Sequence, residues 1–397
     1  MAKAGKKGKS KKVGRPVPFL YHIYVLISVA AMRLSGVRLR TDRSGIKGIK
    51  GPALLLCPHI SLKDHIIVAN ALFPKRPTFV LSEHFISKPF IGKALLKLAR
   101  VITKKMFCAD AGTIMGIMRA KNEGNIIVLF PEGRLNAVAH SQPVAEGTAA
   151  LVKKLGIDVY SVIGNGSALV YPKWGEKPRK GIIEVKTVKV LSRDDIANMT
   201  VTDISDTIDG LIYHDDEAAA NGREYKCRDT AKGLDSILYK CPHCLAEFTL
   251  SAADGRIACQ SCGFSAVLGC DYRFDSGSPV KTVNEWFYWQ RDVFTLDEIL
   301  EDDIKIGAVN AKGIMDFNAG EGHIRLDKEY LRLKGTVFGE EIELAKETGK
   351  IGGMPYTPMR EFDIYYDKKL LYLMPPDGRR IVKYVNMVDK ICRKNKG

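Results

Sequence analysis

Two short runs carry the side chains able to do chemistry. Cys57-Pro58-His59-Ile60-Ser61-Leu62-Lys63-Asp64 follows the apolar run Ala53-Leu54-Leu55-Leu56. Phe130-Pro131-Glu132-Gly133-Arg134 follows Asn125-Ile126-Ile127-Val128-Leu129. Each apolar run reads as a buried strand. In an open α/β sheet ligands bind in the crevice outside the carboxyl ends of the strands, so the two runs read as one site. A hydroxyl is a poor nucleophile near neutral pH, and a positioned imidazole accepts its proton as it attacks an activated acyl group. A carboxylate on the other ring nitrogen fixes the tautomer and stabilises the imidazolium that forms. His59 and Asp64 are five apart, about 500° on a helix, so they would not share a helical face. The spacing therefore asks for His59 on a loop and Asp64 on the first helical turn. A purely structural reading stands beside this one: Ser61 as N-cap, Asp64 as its capping-box carboxylate and His59 as a satisfied loop histidine. Glu132-Gly133-Arg134 offers a guanidinium for a phosphate and a glycine that permits close backbone approach. Glu132 either holds a substrate hydroxyl, braces Arg134, or serves as a helix N-terminal carboxylate.

These loops need a frame. From about 33 to 200, apolar runs alternate with helical patterns, as in βαβ units. Strands are expected at 53–57, 78–82, 125–130, 159–163 and 181–190, and helices at 62–72, 89–99, 111–122 and 145–155. Pro74 and Pro77 mark the connection after the first of these helices. Residues 194–236 are acidic and helical in pattern, and 201–236 reads as a linker to the next domain.

Nine cysteines are present. Cys241-Pro242-His243-Cys244 and Cys259-Gln260-Ser261-Cys262 form two CxxC pairs separated by fourteen residues. Four thiolates so spaced suit a closed, tetrahedral, structural Zn²⁺, and residues 237–270 read as a zinc ribbon. A rubredoxin-like iron centre and a plain thiol pair are the alternatives. Cys57, Cys108, Cys227, Cys270 and Cys392 are scattered and read as small buried hydrophobes. Nucleic acid is not the expected partner of the ribbon, because Asp235, Glu247, Asp254 and Asp271 dilute its basic residues. From 283 to 397 the chain reads as a β-rich domain. Trp286, Phe287, Tyr288 and Trp289 cannot all share one face and are expected mainly in its core. A helix at 295–301, hairpins around 362–378 and a last helix at 381–392 complete it.

The chain has 397 residues and a formal charge of +16. That length calls for two or three domains, and that charge for anionic partners. Lys3, Lys6, Lys7, Lys9, Lys11, Lys12 and Arg15 crowd residues 1–16, an arm expected to be disordered. Pro16–Met32 is uncharged and apolar. Its roughly 17 residues give about 25 Å of helix, short of a comfortable bilayer span. Basic residues on both flanks favour a helix lying in the cytoplasmic leaflet. A signal peptide is disfavoured by the lack of a small-x-small cleavage site and by paired thiols suited to a reducing compartment. A buried first helix is the remaining alternative.

The two runs, in this order, resemble the motifs of the glycerol-phosphate and lysophosphatidate acyltransferase family. That family pairs HxxxxD, here His59 to Asp64, with a later FPEGTRS-type motif, here Phe130 to Asn136. Ala99-Arg100-Val101-Ile102-Thr103-Lys104-Lys105 is similar to the family's intervening GxxFIxR block. The resemblance covers roughly residues 17–190. It implies an α/β acyltransferase domain over 17–200, a mixed sheet flanked by helices, followed here by the small zinc ribbon and the β-rich C-terminal domain. It further implies transfer of a fatty acyl group from acyl-CoA or acyl carrier protein to a lysophospholipid or glycerol-phosphate hydroxyl, 1-acylglycerol-3-phosphate above all. His59 would be the base and Asp64 its partner. Lys105, Glu132, Gly133 and Arg134 would bind the phosphate-bearing acceptor. No acyl-enzyme and no catalytic cofactor are implied. The expected setting is the cytoplasmic face of an anionic membrane, peripheral or monotopic. The chain departs from the pattern at Pro58, Ala99 and Lys105, in lacking the threonine of the later motif, and in lacking a proline after Val159-Tyr160-Ser161-Val162. Those departures motivate a rival from another class, a membrane or nucleic-acid adaptor on a degenerate acyltransferase scaffold.

Overall fold

Continuous apolar runs become the middle of a parallel sheet, because strands covered on both faces need no polar side. In the computed structural model, which describes residues 12–86, 91–106, 110–367 and 369–394, this holds for Ala53–Leu56, buried at every position. Seven strands form the first sheet: β1 (Val37–Thr41), β2 (Ala53–Leu56), β3 (Thr78–Ser82), β4 (Ile102–Lys104), β5 (Ile126–Leu129), β6 (Val159–Asn165) and β7 (Gly181–Leu191). Their order is β1-β7-β6-β2-β5-β3-β4. β7 runs antiparallel to β6 and parallel to β1, while β6, β2, β5, β3 and β4 are mutually parallel. β2 and β5 are direct neighbours, with Leu56 opposite Leu129. The loops leaving both strands therefore emerge side by side.

Side chains alternate across a strand, so the two faces of the sheet build separate cores. Leu54, Leu56, Ile127 and Leu129 pack with Ile117 and Ala120 of helix Ala111–Asn122 and with Val152 and Leu155 of helix Thr148–Leu155. Ala53, Leu55 and Val128 face the opposite way, toward Ile67, Val68 and Ala71 of helix Asp64–Leu72. Residues 201–236, expected as a linker, contain a helix, Val201–Ile212, that belongs to the first of these cores. Thr200 caps it through a reciprocal bond with Asp203, and Ile204, Ile208 and Ile212 are buried on one face.

The helix Pro18–Leu34 packs one stripe, Tyr21, Val25 and Met32. Tyr21 and Val25 meet Ala69, Phe73 and Phe79. Phe19, Leu26 and Ile27 on its other side stay 57–72% exposed. No described helix is long and apolar enough to cross a membrane. Residues 1–11 of the expected basic arm, and Cys108, lie outside the described residues.

The cysteine segment forms a small antiparallel sheet of β8 (Leu250–Ala253), β9 (Arg256–Cys259) and β10 (Ser265–Val267). Beyond it come β11 (Leu300–Val309), β12 (Met315–Leu326), β13 (Tyr330–Val337), β14 (Glu340–Glu347), β15 (Tyr356–Thr357), β16 (Glu361–Tyr366) and β17 (Lys369–Met374). They make one antiparallel sheet in the order β14-β13-β12-β11-β17-β16-β15. β12 and β13 approach so closely that a Cβ on Gly320 would lie 1.8 Å from the Thr336 carbonyl oxygen, which only glycine avoids. The helix Arg380–Lys394 covers this sheet with Ile381, Tyr384, Val385 and Val388 buried. The helix expected at 295–301 is not there. Ile304, Ile306 and Ala308 are buried at alternate positions, a period of two, and β11 begins at Leu300. The helix of this region is Val283–Asp292, capped by Thr282 and burying Trp286 and Phe287. One apolar core runs from helix Asp64–Leu72 through Ala137–Ala139 to Trp286 and Ile381.

Candidate active site

At the end of β2 the chain leaves the sheet through Cys57-Pro58 and turns into helix Asp64–Leu72. His59 sits on that loop and Asp64 on the first helical turn. His59 Nδ1 lies 3.0 Å from Asp64 Oδ2. The same Oδ2 accepts the Ser61 N–H at 2.9 Å. Ser61 is not the helix N-cap, which is Lys63 without a side-chain cap bond, but the Asp64 carboxylate still reaches back to the Ser61 N–H, so the bond that ends the loop also aims the carboxylate at the imidazole. Asp64 is buried, which pushes its carboxyl above the usual range, while the bond to His59 pulls it back. His59 stacks on Phe130, ring centres 4.6 Å apart, and keeps its side chain 29% exposed. With Nδ1 engaged, Nε2 has no protein hydrogen-bond partner among the described residues.

The loop after β5 clamps this arrangement. Glu132 Oε1 accepts the His59 N–H at 2.7 Å, and Oε2 accepts the Gln142 N–H at 2.7 Å. Asn136 N–H donates to the His59 carbonyl at 3.3 Å. Glu132 is therefore the brace between the two loops, and among the three sequence readings it comes nearest to bracing, though of His59 rather than Arg134. Burial drives its carboxyl up to about 8 against those two amide donors. Gly133 takes φ +76°, the left-handed region that lets the chain fold back here.

Arg134 does not face open solvent. It is buried, ion-paired with Asp389 of the last helix, and donates to the Met354 carbonyl at 3.0 Å and to Gln142 Oε1 at 3.3 Å. Lys105 follows β4, the edge strand two places from β5, and its N–H donates to Asp110 Oδ2 at 3.2 Å. His59, Asp64, Glu132, Gly133 and Arg134 thus come together on the loops after β2 and β5, while Lys105 comes from the end of the edge strand β4.

Several neighbours of the site carry no local signal in the sequence. Asp216 Oδ1 and Oδ2 accept the N–H groups of Gly166 and Ala168, both at 2.7 Å, and Oδ1 also meets His214 Nε2 at 2.6 Å. This holds Ser167 within 3.5 Å of Asp64 Oδ1. Tyr288 hydroxyl receives Asn136 Nδ2–H at 3.2 Å, so one residue of the aromatic run reaches the site while its neighbours fill the core.

Away from these loops, the Sγ atoms of Cys241, Cys244, Cys259 and Cys262 all lie within 4.8 Å of one another. Cys241 and Cys262 are 3.9 Å apart, and Cys244 and Cys259 3.8 Å. Tetrahedral thiolate ligands at the usual zinc–sulfur distance of about 2.3 Å would stand about 3.8 Å apart. The donor set fits a tetrahedral metal ion.

No curated protein matches the chain. Among solved structures, the crystal structure of PlsC, the 1-acyl-sn-glycerophosphate (LPA) acyltransferase of Thermotoga maritima, is similar at 13% identity. It covers 51% of this chain and 78% of that one with a TM-score of 0.41. Residues 36–164, the segment holding both loops, match the model of the Acyltransferase family. By this match and by its motifs, the first domain of this chain is an acyltransferase-family domain.

Proposed function

We propose that the chain is an O-acyltransferase that moves a fatty acyl group from a thioester, acyl-CoA or acyl carrier protein, to a hydroxyl of a lysophospholipid or glycerol phosphate, 1-acylglycerol-3-phosphate being the type acceptor. The observation that carries this reading is the His59–Asp64 contact at the carboxyl end of β2, with Nε2 left for an acceptor. Nε2 takes the hydroxyl proton as the oxygen attacks the thioester carbonyl. Asp64 holds Nδ1–H and stabilises the imidazolium. The C–S bond breaks, and the proton passes to the leaving thiolate. Glu132 fixes the backbone on which the imidazole rides, Gly133 allows the turn, and Arg134 and Lys105 supply positive charge for the acceptor's phosphate. Each step is a direct transfer, so no residue is acylated.

Asp64→Asn is expected to lower kcat about 10²–10⁴-fold with the acceptor KM little changed, since it removes stabilisation of a charge present only during transfer. An equal loss in KM alone would assign Asp64 to binding.

We assign zinc to the four thiolates and read the ribbon (237–270) and the β-rich region (283–397) as added domains. The exposed apolar side of helix Pro18–Leu34, with the chain's excess positive charge, suits the cytoplasmic surface of an anionic membrane. Replacing Leu26 and Ile27 together by glutamate is expected to abolish co-sedimentation with anionic vesicles. Undiminished sedimentation would remove the helix from the interface.

The reaction is tested by incubating the purified chain with labelled acyl-CoA or acyl carrier protein and a panel of lysophospholipids and glycerol 3-phosphate. Labelled ester supports the reading. Turnover with none of them, alongside salt-sensitive binding of RNA or DNA, would favour the adaptor.

A further inference from the structure

Arg134 is already occupied. Its guanidinium pairs with Asp389, donates to Met354 and Gln142, and lies 5.8 Å from the Tyr356 ring. Asp389 belongs to the helix Arg380–Lys394, 255 positions away in sequence. A carboxylate thus sits where an acceptor's anion would have to go. The surroundings offer that carboxylate a second place. Arg393 is exposed, one helical turn on from Asp389, and within electrostatic reach of Asp389, Arg291 and Arg134. Asp389 itself is only 14% exposed. This gives two arrangements, Asp389 on Arg134 or Asp389 turned toward Arg393, and packed interfaces favour discrete states of this kind.

We propose that Asp389 selects the acceptor: its carboxylate holds on Arg134 the place that the acceptor's phosphate takes, and acceptor binding exchanges one anion for the other. This rests on the reading of Arg134 as the acceptor's phosphate ligand. The exchange discriminates by charge. A phosphomonoester brings close to two negative charges at neutral pH and outcompetes a single carboxylate. A phosphodiester brings one and gains little over Asp389. The site therefore prefers acceptors with a terminal phosphate to those whose phosphate is esterified twice. The loop that bears Arg134 also bears Glu132, the brace of His59, so the exchange takes place one step from the imidazole.

Calorimetry of glycerol 3-phosphate and of glycerophosphocholine against the full chain tests this. The unmodified chain is expected to favour glycerol 3-phosphate. Asp389→Asn, which keeps the shape and removes the charge, is expected to bind it about tenfold more tightly, one anion no longer having to be displaced. An unchanged or weaker affinity in a folded Asp389→Asn chain, or no binding to either form, overturns the proposal. If that variant does not fold, hydrogen exchange on the unmodified chain decides. Saturating glycerol 3-phosphate should speed exchange in Arg380–Lys394, and unchanged or slower exchange overturns the proposal. Tighter binding in Asp389→Asn without acyl transfer by any form would sink the reaction and leave the anion exchange standing.

Discussion

Purified His59→Ala is expected to lose acyl transfer by about 10²–10⁴-fold, the range supplied by a positioned general base. Fold and metal content should be unchanged. The structure explains why such a large effect need not come from misfolding. The imidazole is 29% exposed, and among the described residues its hydrogen bond is to Asp64. The backbone around it is held independently, through its own N–H on Glu132 and its carbonyl on Asn136. Both bonds survive truncation of the side chain. Asp64 keeps the Ser61 N–H and so remains in place. What disappears is the acceptor for a hydroxyl proton. A fall in activity matched by a fall in thermal midpoint would instead point to lost packing on Phe130.

Removing the zinc proposed for the four thiolates is expected to have the second largest effect. Between Cys241 and Val267 the ribbon buries few apolar side chains, Leu250, Ile257 and Ala266 with Cys241 and Cys259. A domain that small relies on its metal, and in isolated zinc fingers binding supplies on the order of 10 kcal/mol of folding free energy. The consequence reaches beyond the ribbon. Trp286, fully buried, packs on Phe264 and Phe274 and donates Nε1–H to the Lys240 carbonyl at 2.9 Å, next to Cys241. Lys383 of the last helix pairs with Glu247 at 2.5 Å and Glu298 at 2.6 Å. Chelation, or Cys241→Ser, should therefore red-shift tryptophan emission and lower the thermal midpoint, and added Zn²⁺ should reverse the effect of chelation. Emission and midpoint indifferent to a strong chelator would show that the four thiols carry no structural ion.

How much of the fold and site was legible in the sequence depended on range. His59, Asp64, Glu132 and Gly133 lie within a few residues of the strands that position them, so an apolar run with a polar loop after it was enough. The neighbouring parallel strands β2 and β5 then bring the loops together. The clustering of Cys241, Cys244, Cys259 and Cys262 was legible for the same reason, each pair being local. Arg134 shows the limit. Its residue type and position suggested a phosphate, but its partner Asp389 comes from the last helix, and no local pattern announces such a contact. Glu132 shows a subtler one: an acidic side chain after a strand was expected to hold a substrate hydroxyl, brace Arg134 or serve as a helix N-terminal carboxylate, and it binds amides across the site. The helix expected at 295–301 failed because acidic residues mask the alternation of Ile304, Ile306 and Ala308, which decides for a strand. β1 was missed because Arg38 and Arg40 interrupt its apolar residues, as suits an edge strand.

The central claim is that an imidazole at position 59 takes the proton of the acceptor's hydroxyl. The half-open setting of that side chain permits a direct measurement: titration of free imidazole into His59→Ala while single-turnover transfer from labelled acyl donor to acceptor is followed. The account predicts almost no ester without imidazole and a rate that climbs with its concentration. Transfer at the unmodified chain's rate in His59→Ala before any imidazole is added would contradict it.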